Sequence, residues 1–241
     1  MRLDKFLSNE NIGSRKEVGV LVRSGAVTVN GQAVKKADLQ IDPERDTICV
    51  NGRAIQYNRY VYLLMNKPAG VLTATRDNRT KTVLDLVPED LRRKDLFPAG
   101  RLDKDTTGML ILTDDGDFAH RMLAPKSHVL KRYEAVLDLP VEAADIRRFA
   151  EGIQSGEDLF APALLEIDPE DPHRAWVEIR EGKFHQVKRM FLACGKTVTA
   201  LRRLSIGALV LEDTLPAGAV RVMTPEEAGL VFQKAKPQNN D

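Results

Sequence analysis

The stretch Ala99-Gly-Arg-Leu-Asp-Lys-Asp-Thr-Thr-Gly108 runs on into Met-Leu-Ile-Leu-Thr113 and Asp-Asp-Gly116. Its first half is a loop opened by glycine that sets one carboxylate, Asp103, beside an arginine, a lysine and two threonines. Its second half is an uninterrupted apolar run, which reads as a buried strand closed by a tight turn. Nowhere else does the chain set a single acid so closely among basic and hydroxyl neighbours. Asp103 is therefore the first candidate for a reactive group.

Upstream of this stretch, residues 1–58 read as a small separate domain. Leu3, Phe6 and Leu7 form one apolar face of a short helix that Gly13 breaks. Ser14-Arg-Lys-Glu17 has capping-box spacing, so a second helix starts there with Val18, Leu21 and Val22 inward. Ala26–Gly31 alternates into an Asn-Gly turn, and a strand near Thr47–Val50 meets a second Asn-Gly pair at Asn51-Gly52. Two helices and a β-ribbon hold too little core for much beyond binding. Residues 53–60 are polar and aperiodic, as in a linker.

The larger domain spans 59–234. Strands are predicted at Val61–Met65, Val71–Thr75, Arg132–Leu137, Ala163–Ile167, Ala175–Ile179, Thr197–Leu201, Ala208–Leu211 and Val220–Met223. Helices are predicted at Val83–Val87, at Gly116–Leu123 with Asp117 as its cap, and at Val141–Gly152 with Ile146, Phe149 and Ala150 inward. Two more follow at His185–Cys194, ended by Gly195, and at Pro225–Phe232. Many short strands among a few helices indicate an α+β domain. The polar residues 235–241 are expected to form a disordered tail.

Composition narrows the function classes. No apolar run approaches the ~18 residues of a membrane span, and the first residues lack a signal-peptide core, so a cytoplasmic protein is expected. Cys49 and Cys194 stand far apart, and the four histidines show no metal-ligand spacing. The net charge is only +1, but it is unevenly spread. Residues 1–36 carry seven Lys/Arg against three acids, 181–203 six against one, and 138–171 two against ten. Basic segments of this kind can track phosphates.

Arg2-Leu-Asp-Lys-Phe6, Ser14-Arg15-Lys16 and Val27-Thr-Val-Asn-Gly31 resemble the S4 RNA-binding module. That resemblance implies a basic helical face of Arg2, Lys5, Arg15, Lys16 and Arg23 lying on structured RNA. Asn66-Lys-Pro-Ala-Gly70, the Gly100-Arg-Leu-Asp103 run, Lys131-Arg-Tyr133, Glu181–Met190 and Leu201–Gly207 follow in the same chain. Together they resemble the pseudouridine synthases, and most closely the branch that modifies a single site in ribosomal RNA. The resemblance implies a mixed, mainly antiparallel sheet flanked by helices, and a reaction without cofactor or metal. Asp103 would supply the carboxylate, as nucleophile at the sugar or base or as base toward the sugar. Lys188 would keep it ionised, Tyr133 would stack on the target base, and Leu201 would line the uracil pocket. Arg101 would fill the place of the flipped nucleotide. Lys67, Lys183, Arg189, Arg202 and Arg203 would contact phosphates. Asp105 and the two threonines read as loop-shaping.

The resemblance implies as substrate uridine 516 of 16S rRNA, in a pre-30S particle, acted on by a monomer. A large-subunit (23S) rRNA target, a non-catalytic S4-type assembly factor, and a metal-dependent hydrolase using Asp103, Asp105, Asp114 and Asp115 remain as other readings.

Overall fold

The computed structural model describes residues 1–55, 57 and 59–234, so the predicted tail lies outside the described residues. The chain forms two compact units: Met1–Val61 with Pro88–Asp95, and Tyr62–Val87 with the chain from Leu96 onward.

In the first unit, helices α1 (Leu3–Asn9) and α2 (Arg15–Arg23) share a core with a four-stranded ribbon. Its strands are β1 (Val27–Val29), β2 (Gln32–Ala33), β3 (Ile48–Val50) and β4 (Arg53–Ala54), in the order β2-β1-β3-β4. The capping box forms as read: Glu17 N donates to Ser14 Oγ at 3.3 Å and Ser14 N to the Glu17 carboxylate at 2.8 Å. Asn30 and Asn51 are left-handed (φ 53° and 50°) and each is followed by a left-handed glycine, as a tight hairpin requires. The linker expected at 53–60 begins instead as β4, with Ile55 and Tyr57 packed on the core. A two-residue edge strand is too short to show periodicity. Pro88–Asp95 joins this unit through Asn11 Nδ2, which donates to the Asp90 carbonyl at 2.7 Å, and through an Arg93–Glu10 ion pair at 3.2 Å.

The second unit is built on a mixed, mainly antiparallel sheet. Its elements are β5 (Tyr62–Lys67), β6 (Phe97–Ala99), β7 (Thr107–Thr113), α3 (Gly116–Leu123), β8 (Lys131–Leu137) and α4 (Ala143–Glu151). Then come β9 (Ile153–Ser155), β10 (Asp158–Phe160), β11 (Leu164–Ile167), β12 (Arg174–Ile179) and α5 (Gln186–Ala193). The chain ends in β13 (Val198–Ile206), β14 (Leu209–Val210), β15 (Val220–Val222) and α6 (Pro225–Leu230). The sheet order is β11-β12-β8-β13-β7-β5-β15, with β6 on β7 and β14 on β13. Among the described strands, β7 and β13 alone pair in parallel. Met109 to Leu112 of β7 are fully buried, which explains why this central strand reads as a continuous apolar run.

Some local expectations need correction. Val71–Thr75 is not a strand: it makes one isolated bridge, Leu72 to Thr82, and the Thr73 hydroxyl is engaged elsewhere. Helix α3 is capped by Asp115, whose carboxylate accepts from the amides of Asp117 and Phe118 at 3.0 and 3.1 Å. Asp117 itself sits in the first turn. Ala150 is exposed because the inner face of α4 centres on Phe149. The β9–β10 hairpin, with two strands of three residues each, adds to the predicted elements, since strands this short show no period in the sequence.

Candidate active site

Asp103 lies in the loop between β6 and β7, and backbone ties from several directions fix that loop. Gly100 takes φ +91°, where a Cβ would press on Leu123. Thr73 Oγ1 donates to the Leu102 carbonyl at 2.7 Å, Gly70 N to the Lys104 carbonyl at 2.8 Å, and Thr106 N to the Asp103 carbonyl at 3.2 Å. From within, Lys67 Nζ donates to the carbonyls of Pro68, Lys104 and Thr106 at 3.0, 3.2 and 2.9 Å. Lys67 is wholly buried. Its expected phosphate contact is therefore corrected: an ammonium bonded to three carbonyls inside the protein cannot reach RNA. Burial lowers its pKa to about 8, with the charges of Asp105 and Asp103 opposing the shift.

The loop places Asp103 at an open pocket. Lys188, on α5, brings Nζ to 3.3 Å from one Asp103 oxygen, and His185 brings Nε2 to 3.4 Å from the other. The same ammonium donates to Asp105 Oδ1 at 2.6 Å. One lysine thus bridges two carboxylates. Burial works against its charge, but the hydrogen bond to Asp105 and the charge of Asp103 outweigh it and raise its pKa. The Asp105 carboxyl is held below its usual range, first by the Lys188 hydrogen bond. Asp105, read only as loop-shaping, is therefore part of the charge cluster.

Tyr133, Leu201 and Thr106 line the pocket, with Arg101 and Lys183 also on its walls. Tyr133 on β8 faces Arg203 on β13 across one antiparallel pair. Arg203 is 3% exposed. Its Nε donates to the Met109 carbonyl at 2.8 Å and Nη1 to the Tyr133 hydroxyl at 3.4 Å. This corrects its expected phosphate contact: the guanidinium is held behind the tyrosine, inside the sheet. Among the described residues, Thr106 Oγ1 and Arg203 Nη2 are buried without a hydrogen-bond partner.

The remaining cations divide by location. Arg101 and Lys183 are exposed, and Lys183 Nζ donates to the Leu159 carbonyl at 2.7 Å. Arg189 is engaged at the β9–β10 hairpin, with Asp158 at 2.7 Å and the Ser155 carbonyl at 2.8 Å. Arg202 reaches Asp213 at 3.7 Å. In the first unit, Lys5, Arg15, Lys16 and Arg23 are exposed, while exposed Arg2 also pairs with Asp4 at 2.8 Å.

Two site residues carry no signal of their role in the sequence. His185 lies within the Glu181–Met190 motif, and only folding brings its ring against Asp103. Buried Gln186 donates to Glu181 at 2.7 Å and accepts from Lys183 N at 3.1 Å, which closes the 181–186 loop at the pocket wall. Of the acids read as possible metal ligands, Asp115 caps α3 and accepts from the Tyr62 hydroxyl at 2.6 Å, and Asp103 and Asp105 face the Lys188 ammonium. Among the described residues no group of three or more His, Cys, Asp or Glu is placed to hold a metal ion.

A carboxylate, a bridging ammonium and a tyrosine around one pocket invite comparison with known proteins. Residues 61–193 match the RNA pseudouridylate synthase family model, and residues 1–48 match the S4 domain. The chain belongs to the RNA pseudouridylate synthases. It is thus an RNA-modifying isomerase with an N-terminal S4 domain. It is 44% identical over 234 residues to an uncharacterized RNA pseudouridine synthase of Bacillus subtilis, covering 96% of this chain and 98% of that one. It is 39% identical to the ribosomal small subunit pseudouridine synthase A of Escherichia coli, covering 96% and 100%. A solved pseudouridylate synthase superposes with a TM-score of 0.65 at 36% identity, covering 96% and 99%. No described helix is long and apolar enough to cross a membrane.

Proposed function

We propose that this isomerase converts one uridine of small-subunit ribosomal RNA, uridine 516 of the 16S molecule, to pseudouridine. The near full-length likeness to small-subunit synthases supports that substrate. The observation that carries the chemistry is Asp103 held at a pocket beside Lys188, with Tyr133 and Leu201 on the walls.

In this reading the Asp103 carboxylate acts on the flipped nucleoside while the Lys188 ammonium pairs with it at 3.3 Å. The C1′–N1 bond breaks, the uracil turns in the pocket, and a C1′–C5 bond forms. The C5 proton is lost and N1 ends protonated, so atoms balance without oxidant, reductant or water. Leu201 and the ring of Tyr133 hold the detached base, and Tyr133 stands near the departing C5 proton. Arg101 fills the stack that the uridine vacates. The exposed cations of the S4 domain, Lys5, Arg15, Lys16 and Arg23 with Arg2, lie on folded rRNA. The protein acts as a monomer, in the bacterial cytoplasm, on a pre-30S particle.

The test is to map pseudouridine in rRNA from cells carrying Asp103→Asn beside the parent. Loss of the single 16S mark supports the proposal. Loss of a 23S mark moves the enzyme to the large subunit, and an unchanged map at every site overturns the role of Asp103.

A further inference from the structure

The loop before α5 carries a feature that neither the core nor the isomerisation explains. Phe184 is 71% exposed, the highest value among the large apolar side chains of the described residues. One face of its ring is covered by the His185 imidazole, with centroids 3.7 Å apart and planes 18° from parallel. The ring otherwise stands largely in solvent.

The backbone works to keep this arrangement. His185 adopts φ 51°, ψ 30°, a left-handed conformation that a residue with a Cβ rarely takes. Gln186 N donates to the Lys183 carbonyl at 3.2 Å and Arg189 N to that of His185 at 2.9 Å, locking the turn. Strain retained beside a reactive group points to use. Here the left-handed turn aims His185 Nε2 at Asp103 while its ring lies flat on Phe184. The stack therefore stands at the wall of the pocket that holds the carboxylate. Arg180 and Lys183, close in sequence, are exposed, as is pocket-lining Arg101. A planar aromatic surface beside exposed cations suits a ligand that is itself planar, apolar on its faces and strung on phosphates.

We propose that the Phe184–His185 pair is a stacking platform for an unpaired nucleobase flanking the target uridine. The inference rests on the isomerase reading above and adds a second base site to it. Target and neighbour would be held together, one in the pocket and one on the open face of Phe184. The platform would so favour a uridine in an unpaired segment over one inside a duplex.

The experiment uses full-length Phe184→Ala and Phe184→Trp with a 16S rRNA transcript, free and assembled into a pre-30S particle, and, separately, a short single-stranded oligouridylate. Phe184→Ala is expected to weaken transcript binding roughly tenfold or more, in the range for loss of one base stack, and to lower kcat/KM with it. Removing the base next to the target should cost the parent the same factor and cost Phe184→Ala little more. Phe184→Trp should restore binding, and its fluorescence above the Trp176 background should be quenched by both RNAs. Parent-like binding by Phe184→Ala together with an unquenched Phe184→Trp overturns the platform. If the parent itself makes no pseudouridine in the transcript, either free or assembled into a pre-30S particle, the substrate reading fails, while quenching by oligouridylate still decides the platform.

Discussion

The Arg203 guanidinium lies 5.9 Å from the ring centroid of Tyr133, and its Nη1 is 3.4 Å from the phenol oxygen. The two residues face each other across β8 and β13, so the sheet register itself sets their distance. An arginine fixed this way orients the tyrosine that walls the pocket, and it does so from inside the protein.

Arg203→Met should therefore lower the rate of pseudouridine formation at saturating RNA by roughly tenfold to a hundredfold, while RNA affinity changes little. Arg203→Lys should recover only part of it, because an ammonium cannot bond both the Met109 carbonyl and the phenol with a planar fork. Single-turnover rates and binding curves, with thermal melts as a control for folding, check this. A fall in affinity without a fall in rate would place Arg203 on the RNA instead.

Lys188 carries a prediction about pH. Its ammonium is 3.3 Å from Asp103 and 2.6 Å from Asp105, whose carboxyl it holds low. Removing the cation takes away the hydrogen bond that holds the Asp105 carboxyl low, so the acid limb of the rate profile should move to higher pH. Lys188→Met is expected to shift that limb up by about one unit or more and to cut the rate. Lys188→Arg should keep the limb near its original place. Rates measured from pH 5 to 8 for the three proteins test it, and an unmoved limb in Lys188→Met would separate Lys188 from the reactive carboxylate.

Lys131 gives a stability prediction. It is 6% exposed, donates to the Val129 carbonyl at 3.1 Å, and is lowered to about 8 by burial and then by the charge of Arg203. The unfolded chain holds this proton up to its ordinary 10.5. Below pH 8 both states are protonated, and the full cost of a buried charge is present. Between about 8 and 10.5 the unfolded state binds more protons, so stability rises with pH in that window. Lys131→Met removes the charge and should stabilise the second unit by about 1–2 kcal/mol at pH 7. The gap from the parent should shrink as pH rises through 8 toward 10. Urea unfolding at several pH values reads this directly, and a constant gap would refute it.

Much of this protein is written locally in its sequence. The capping box at Ser14–Glu17, the Asn-Gly turns and the central strand at Thr107–Thr113 form where the pattern puts them, because each depends on neighbours a few residues away. Asp103 was legible as an unusual acid for the same reason. Short edge strands such as β4, β9 and β10 were not legible, since two or three residues carry no period. The choice of cap between Asp115 and Asp117 was equally hidden, for it turns on where the first helical amide points.

The fate of each cation was decided only by tertiary structure. Lys67, Arg203 and Lys183 look alike as basic residues beside family motifs. Folding buries the first under three loop carbonyls, places the second behind Tyr133, and leaves the third exposed at the pocket. It also brings His185 and Lys188 to opposite oxygens of Asp103. Sequence fixes which residues are charged and which segments turn or pair, because those are short-range properties. Which charge meets which carboxylate, and which is lost to the core, depends on strand register and on the packing of α5 against distant loops.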